Sequence, residues 1–253
     1  MALYLLGSHY WGINTPSSDE DYTSFRLPTF EQLYNGEVVS THEEKLQGFD
    51  CLYDLNTKDW RLFVKELKKG SITIMECMYS RPLKYINRET KILDFIEKNK
   101  DDLFMENRNR FLKVCMEEAK SRILAIEKDL DNIDKKQLAH LYKCVSMFNE
   151  VVYLNSNPFD EVMLKNRKIQ MNTIRNTGFC AKPINTFLPT QELYDHLSNE
   201  SKKMHDLSIS KEGKFFEDSD YPVTNRLDRV IYNTVHDNVL YELTYWQLNK
   251  IVL

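Results

Sequence analysis

The sequence lacks features that would place it in several classes of protein. It has no long apolar run, so we expect no transmembrane helix and no membrane partner. Its five cysteines form no C-x-x-C pair and no signal peptide is recognisable, so we expect reduced thiols and a cytoplasmic location. No internal repeat is present.

The chain also lacks a strong charge of either sign. Lys and Arg number 34 and Asp and Glu number 38, which gives a formal net charge of −4. This balance argues against a protein that simply coats nucleic acid, although a local basic patch remains compatible with it. A chain of 253 residues is long enough for one large domain or for a small domain plus a helical one.

Short apolar runs in the N-terminal third predict a small sheet with helices. Residues 2–6 form an apolar run that a glycine ends, and residues 48–55 are rich in aromatic and apolar side chains, so both predict strands. Residues 60–67 repeat apolar side chains at helical spacing, and Asn56 is expected to cap this helix.

Helical patterns dominate the rest of the chain. Long amphipathic helices are predicted over residues 111–126, 138–152 and 224–248. Residues 206–222 are polar without a clear period and predict a surface loop. We therefore expect an α+β protein, with a small sheet and its helices over residues 1–85 and a mainly helical domain over residues 86–253.

The segment GSHYWGINTPSSDEDY, residues 7–22, places two aspartates after a Gly-Ser turn. Side chains two residues apart on a strand share a face, so Asp19 and Asp21 are expected side by side. Two such carboxylates repel each other unless a cation neutralises them, and Mg²⁺ prefers oxygen ligands of this kind. A solvated surface turn is the alternative interpretation of an isolated Asp-x-Asp.

Other residues near this segment fit a phosphate substrate. Gly7 has no side chain, which would let a phosphate approach the backbone N–H groups, and Ser8 adds a hydroxyl. A third carboxylate from the strand at residues 48–55, which contains Asp50 and Asp54, would allow two ions about 3.5–4 Å apart. That arrangement is typical of phosphoryl and nucleotidyl transfer.

In order and spacing, GSHYWG followed by TPSSDEDY resembles the signature of the DNA polymerase β-type nucleotidyltransferase superfamily. Within it, the sequence is most similar to the RNA-repair-associated nucleotidyltransferases linked to RNA ligases. The resemblance covers residues 4–27, continues to residue 80 through YDLNTKDWRLFVKELKKGSITIMECMYS, and reaches KKQLAHLYKCVSMFNEVVYL near His140. It implies a polymerase-β-type mixed sheet. The Lys-, Asn- and Asp-rich composition is similar to that of tailed-phage proteins.

The resemblance implies a role for each residue of the motif. Gly7 and Ser8 would form the triphosphate-binding turn. Asp19 and Asp21 would be the paired catalytic ligands of two Mg²⁺ or Mn²⁺ ions. The spacer between turn and aspartates departs from the family's glycine-richer pattern, because bulky Tyr10 and Trp11 stand in it.

The family's site also needs a third catalytic and metal-binding carboxylate from another strand. We assign this role to Asp50, because apolar neighbours flank it in the tripeptide FDC. Asp54, in the tripeptide YDL, has the same form and is the alternative.

Further residues are candidates for substrate binding. His9 follows the turn and Arg26 closes the Asp-x-Asp strand, so either could meet phosphate. His140 and Lys143 lie three residues apart on a predicted helix and share a face that could meet the nucleotide. An ordinary surface position is the alternative for each of these side chains.

Together these features predict a metal-dependent nucleotidyltransferase. It would move a nucleoside monophosphate from an NTP, with ATP as the expected donor, to an acceptor and release pyrophosphate. The resemblance favours an RNA 3′ end as the acceptor, and a protein side-chain hydroxyl, as in AMPylation, is the alternative. A non-catalytic nucleotide-binding regulator is the rival from a different class. A phage-encoded protein of this kind would act in the host cytoplasm.

Overall fold

The computed structural model describes residues 1–16, 18–47, 51–181, 187–209 and 221–251. The strands are β1 Ala2–Leu5, β2 Glu20–Arg26, β3 Ser40–Gln47, β4 Cys51–Asp59, β5 Cys180–Ala181 and β6 Phe187–Leu188. The helices are α1 Gly7–Trp11, α2 Phe30–Tyr34, α3 Trp60–Leu67, α4 Ile72–Tyr79, α5 Thr90–Ile126, α6 Lys135–Tyr153, α7 Glu161–Thr177, α8 Thr190–Ile209 and α9 Pro222–Ile251.

Internal contacts divide the chain into two compact units. The sheet unit comprises Met1–Gly7, Ser17–Asn107 and Asp220–Leu253, and the helical unit comprises Ser8–Pro16 and Arg108–Ser219. This division differs from the predicted domains 1–85 and 86–253. The first part of α5 and all of α9 belong to the sheet unit, because the periodicity of a helix does not encode which partner it packs against.

Four strands form a mixed sheet in the order β1-β2-β4-β3. β1 runs antiparallel to β2 and β3 runs antiparallel to β4, whereas β2 and β4 are parallel. The expectation of an α+β chain with a small mixed sheet and a mostly helical remainder is confirmed. No strand is predicted at β3, because its sequence STHEEKLQ has little apolar alternation and pairing with β4 supplies its order.

Aromatic side chains fill the core between the sheet and α3. Phe25 of β2 is fully buried, and its ring centroid lies 5.0 Å from that of Trp60 and 5.1 Å from that of Phe63. Tyr4 of β1 meets the same ring edge-on at 6.2 Å. The apolar spacing of α3 predicts this packing, and the helix is confirmed.

The predicted cap of α3 is wrong by three residues. Asp59, and not Asn56, caps the helix, and its carboxylate accepts a hydrogen bond from the backbone N–H of Arg61 at 2.9 Å. Asn56 instead lies inside β4, which continues to Asp59 because its pairing with β2 extends that far. Local capping preference therefore yields to strand pairing.

Hydrogen bonds at its first turn hold α9 in the sheet unit. Glu106 of α5 accepts from the backbone N–H groups of Val223 and Thr224 at 2.7 and 2.8 Å. These N–H groups have no partner within the helix, and the helix dipole favours a negative charge beside them. Further along, Asn238 accepts from the guanidinium of Arg88 at 2.8 Å.

A buried ion pair joins α6 and α7 inside the helical unit. Arg167 is 1% exposed and its guanidinium contacts the carboxylate of Glu150. It also donates to the Ser146 hydroxyl at 3.0 Å and to the Pro158 carbonyl at 2.8 Å. A buried charge costs several kcal/mol unless it is paired and hydrogen-bonded, and these partners meet that need.

The predicted helices over residues 111–126, 138–152 and 224–248 are confirmed as parts of α5, α6 and α9. The loop predicted over residues 206–222 is wrong for residues 206–209, which continue α8, and for Pro222, which begins α9. Its residues 210–220 lie outside the described part of the chain. Within the described stretches, no helix has both the length and the apolar character needed to cross a membrane.

The aromatic core yields a stability prediction. Phe25→Ala should lower the free energy of unfolding by about 3–5 kcal/mol, because it leaves a cavity among buried rings. Phe30→Ala removes the same side chain at a position that is 41% exposed and should cost less than about 1 kcal/mol. Urea unfolding of both variants measures the difference, and equal losses would contradict the packing described.

Candidate functional site

Gly7 and Asp21 are in direct contact at the end of the first two strands. The backbone N–H of Leu6 donates to the Asp21 carbonyl at 2.8 Å, which extends the β1–β2 pairing by one residue. The chain then turns at Gly7 with φ +60° and enters α1. A Cβ atom at residue 7 would lie 1.8 Å from Asp21 Oδ2, so the aspartate side chain occupies the space that glycine leaves.

This contact changes the role of the glycine from the one predicted. The sequence suggests that Gly7 is bare so that a phosphate can approach the backbone. In the structure, the Asp21 carboxylate takes that space, and the positive φ adds a second requirement for glycine. A phosphate contact at Gly7 stays a prediction.

Asp54 lies beside Asp21 on the neighbouring parallel strand. The register pairs Asp21 with Asp54, and Cα atoms of paired strands lie about 4.8 Å apart. Because paired residues share a face, both carboxylates lie on the sheet face that carries Phe25. Both side chains are partly exposed, whereas Phe25 is fully buried, so the carboxylates stand at the open end of the covered face.

The remaining predicted carboxylates are those of Asp19 and Asp50. Asp19 is exposed and precedes the first residue of β2, so its strand position is not the regular one expected. Asp50, the first choice for the third carboxylate, lies outside the described residues. Among the described residues, Asp54 is the acidic residue that the strand register pairs with Asp21, and the choice between Asp50 and Asp54 stays a prediction.

These carboxylates suit a magnesium ion that arrives with a nucleotide. Among the described residues, no three His, Cys, Asp or Glu side chains are grouped to hold a metal ion. Asp21 and Asp54 supply two carboxylates at one level of the sheet, and Mg²⁺ is typically held by one or two carboxylates, waters and substrate phosphates. The two-ion arrangement, which needs a third carboxylate, stays a prediction.

Ser8 and His9 belong to the helical unit, with the rest of the segment that follows the turn. Ser8 is 6% exposed, and its carbonyl accepts from the N–H of Ile13 at 3.0 Å. His9 Nε2 is buried without a hydrogen-bond partner in the described chain. Their phosphate contacts stay predictions.

Arg26 lies on the opposite face of the sheet from Asp21. Its position, five residues further along an uninterrupted strand, reverses the direction of its side chain. The same spacing separates the two by about 16 Å along the strand. The structure therefore does not bring Arg26 to the carboxylates.

His140 and Lys143 lie in α6, within the helical unit, one turn apart as predicted. Lys143 is 7% exposed, and its ammonium lies 5.0 Å from the ring centroid of Trp11. His140 Nδ1 is buried and has no hydrogen-bond partner among the residues described. The alternative interpretation, an exposed polar face of the helix, is wrong for Lys143, because its side chain is buried against the Trp11 ring.

The bulky spacer residues have a structural role in the helical unit. Trp11 is 1% exposed, and the guanidinium of Arg167 lies 5.9 Å from its ring centroid. The Lys168 ammonium lies 4.1 Å from the Tyr10 ring. Sequence reasoning missed these cation–π contacts, because their cations come from helices more than 130 residues further along the chain.

Comparison with known proteins adds no family assignment. No family model matches the chain, and no curated protein matches it. The resemblance therefore rests on the motif residues of the sequence alone.

The Gly7 contact predicts a difference between two glycines that share a left-handed backbone. Gly12 also has positive φ, but no atom lies within 4 Å of its ideal Cβ position. Gly12→Ala should lower the free energy of unfolding by about 1–2 kcal/mol from backbone strain alone. Gly7→Ala should cost clearly more, because its methyl group collides with Asp21.

A double-mutant cycle with Asp21→Ala tests the cause of this difference. Removing the carboxylate should relieve part of the Gly7→Ala penalty but none of the Gly12→Ala penalty. Urea unfolding of the five variants and the wild type provides the measurement. Independent, additive effects of Gly7→Ala and Asp21→Ala would contradict direct contact.

The environment of His140 predicts a pH dependence of stability. Burial first, and then the positive charges of Lys143, Arg122, Lys136 and Arg175, lower the pKa of His140 to about 3. The unfolded chain, with a pKa near 6.5, therefore binds one more proton than the folded chain between about pH 3 and 6.5.

Stability should rise with pH across this window and fall on acidification. The contribution of His140 is a slope of about 1.4 kcal/mol per pH unit, and His140→Gln should remove it. Urea unfolding at several pH values measures the slope. His236→Gln, at a side chain 58% exposed, is the control, and an unchanged slope in His140→Gln would refute the assignment.

Proposed function

We propose that the protein is a metal-dependent nucleotidyltransferase that transfers a nucleoside monophosphate from an NTP to an acceptor and releases pyrophosphate. The observation that carries the proposal is the placement of Asp21, which contacts the Gly7 turn and pairs in register with Asp54. The resemblance implies a glycine turn before an aspartate strand and a further acidic residue on another strand, and the proposal assigns these places to Gly7, Asp21 and Asp54.

The two carboxylates would have complementary roles. Asp21 and Asp54 are the residues that would hold Mg²⁺ together with the triphosphate of the donor. The bound metal would neutralise charge on the phosphates and lower the pKa of the acceptor hydroxyl. The protein would otherwise act by positioning, because phosphoryl-type transfers need little covalent participation from side chains.

Rigid surroundings support the role of Asp21. Its side chain is confined on one side by the backbone of the Gly7 turn, and its carbonyl is fixed by the N–H of Leu6. The strand that carries it continues into the Phe25 core. A metal ligand held by both its backbone and its side chain loses little conformational freedom when the ion binds.

ATP as the donor, an RNA 3′ end as the acceptor and a cytoplasmic location extend this proposal. Incubation with each radiolabelled NTP, Mg²⁺ or Mn²⁺, and either RNA or a protein mixture tests the donor and the acceptor class together. Label on RNA supports the RNA acceptor, and label on protein supports the NMPylating alternative. NTP binding without transfer to either acceptor would favour the non-catalytic regulator.

Substitutions of the carboxylates give the sharpest test. Asp21→Asn and Asp54→Asn should each lower the transfer rate by at least about a hundredfold, because each removes a metal ligand but keeps the side-chain volume. Asp94→Asn, an exposed position on α5, is the matched control and should retain wild-type activity. Melting temperatures report whether each variant is folded.

The same series decides between the two candidates for the third carboxylate. An inactive Asp54→Asn protein with an active Asp50→Asn protein would support the register described here. The reverse result would show that Asp50 is the ligand. Activity within a few-fold of wild type in Asp21→Asn would remove the metal role from this site.

A further inference from the structure

A cavity of about 700 Å³ lies within the helical unit, between α6, α7 and α8. Cavities of about 300–1,000 Å³ are the size of small-molecule sites in proteins. The wall contains the buried side chains of Val145, Leu193 and Leu197. None of the residues with a proposed role in nucleotidyl transfer lines it.

Amide side chains provide polar groups at this wall. Asn149, Asn166 and Gln170 all line the cavity. Cys180 donates to Gln170 Oε1 at 3.5 Å, and burial raises the pKa of the Cys180 thiol, which keeps it protonated as a donor. This bond leaves the NH₂ group of Gln170 as a hydrogen-bond donor. Each amide offers a donor and an acceptor on one planar group.

The acidic residues at the wall disfavour an anionic ligand. Glu150 and Glu200 line the cavity, whereas none of the described lining residues is a lysine or an arginine. Glu150 is paired with Arg167, and Glu200 accepts from Lys203 at 2.6 Å. With two carboxylates and no lysine or arginine among the described residues of the wall, a phosphate or carboxylate group would lose hydration without gaining a permanently charged cationic partner.

The Arg167 pair also gives this wall a fixed shape. Its guanidinium contacts Glu150 and donates to the hydroxyl of Ser146, and both of these residues line the cavity. Tyr142, another lining residue, is kept as a neutral phenol because burial raises its pKa. These contacts hold Ser146 and Glu150 in position before any ligand binds.

We propose that this cavity binds the uncharged base of a nucleoside, with the base between apolar side chains and its polar edge facing the amides of Asn149, Asn166 and Gln170. Asparagine and glutamine recognise base edges through paired donor and acceptor groups. Tyr142 and Tyr153 supply aromatic surface on which a base can stack. This site does not depend on the proposed transfer activity.

Calorimetric titration of the full chain with adenosine, guanosine, cytidine and uridine tests the proposal. The buffer contains EDTA and no added metal, so that binding at the carboxylate site does not contribute. At least one nucleoside should bind, and its 5′-monophosphate should bind at least tenfold more weakly. Absence of binding by all four up to their solubility limits, or equal affinity for the monophosphate, would overturn the proposal.

Variants locate the binding in the cavity. Asn149→Leu should weaken nucleoside binding at least tenfold, and Asn199→Leu, the same change on α8 outside the lining, should leave it unchanged. Leu197→Trp should abolish binding by filling the space. If Leu197→Trp melts as an unfolded chain, the pair of asparagine variants decides, and unchanged affinity in Asn149→Leu refutes the site.

One further variant separates this proposal from the transferase proposal. Asp21→Asn should bind the nucleoside with wild-type affinity, because Asp21 lies in the other unit. Loss of nucleotidyl transfer with retained nucleoside binding supports both proposals. Retained transfer with no nucleoside binding in the wild type overturns the cavity proposal alone.

Discussion

The Asp21 carboxylate fills the volume in which any side chain at residue 7 would stand. The Asp21 carboxylate, at the start of β2, thus lies against the residue that follows β1 and begins α1. The backbone must turn there with a positive φ, and the residue must also lack a Cβ, so glycine is required for two independent reasons. The position and direction of the carboxylate follow from that turn.

Strand pairing in the sheet places a second carboxylate beside that of Asp21. Parallel pairing of β2 with β4 puts Asp54 level with Asp21, and the alternation of side chains puts the two on one face. The same face is covered by α3 around Phe25, and that hydrophobic core fixes the register of the strands. A slip of one residue would turn Phe25 away from Trp60 and Phe63 and put a polar neighbour of Phe25 in its place.

The helical unit buries positively charged side chains, those of Arg167 and Lys143. Arg167 is satisfied by a carboxylate, a hydroxyl and a carbonyl, and the Trp11 ring lies close to both Arg167 and Lys143. His140 remains neutral in this surrounding, since burial and the positive neighbours act in the same direction on its pKa. The spacer after the glycine turn is thus bulky because it packs among cations.

The sequence by itself determined the class of fold and the local elements that have a strong period. The apolar run at residues 2–6, the stripe of α3 and the long helical patterns all formed, because hydrophobic periodicity acts through each segment's own side chains. It also singled out Gly7 and Asp21 as parts of one motif, and the structure places the two residues in contact.

Tertiary structure decided what depends on partners distant in the chain. The cap of α3 moved to Asp59 because strand pairing extended β4, and α9 joined the sheet unit through Glu106. The pairing of Asp54 with Asp21 depends on strand register, which side-chain alternation alone leaves open, because Asp50 and Asp54 have the same parity. The cavity between α6, α7 and α8 is also invisible in any single helix, because its walls come from side chains of all three.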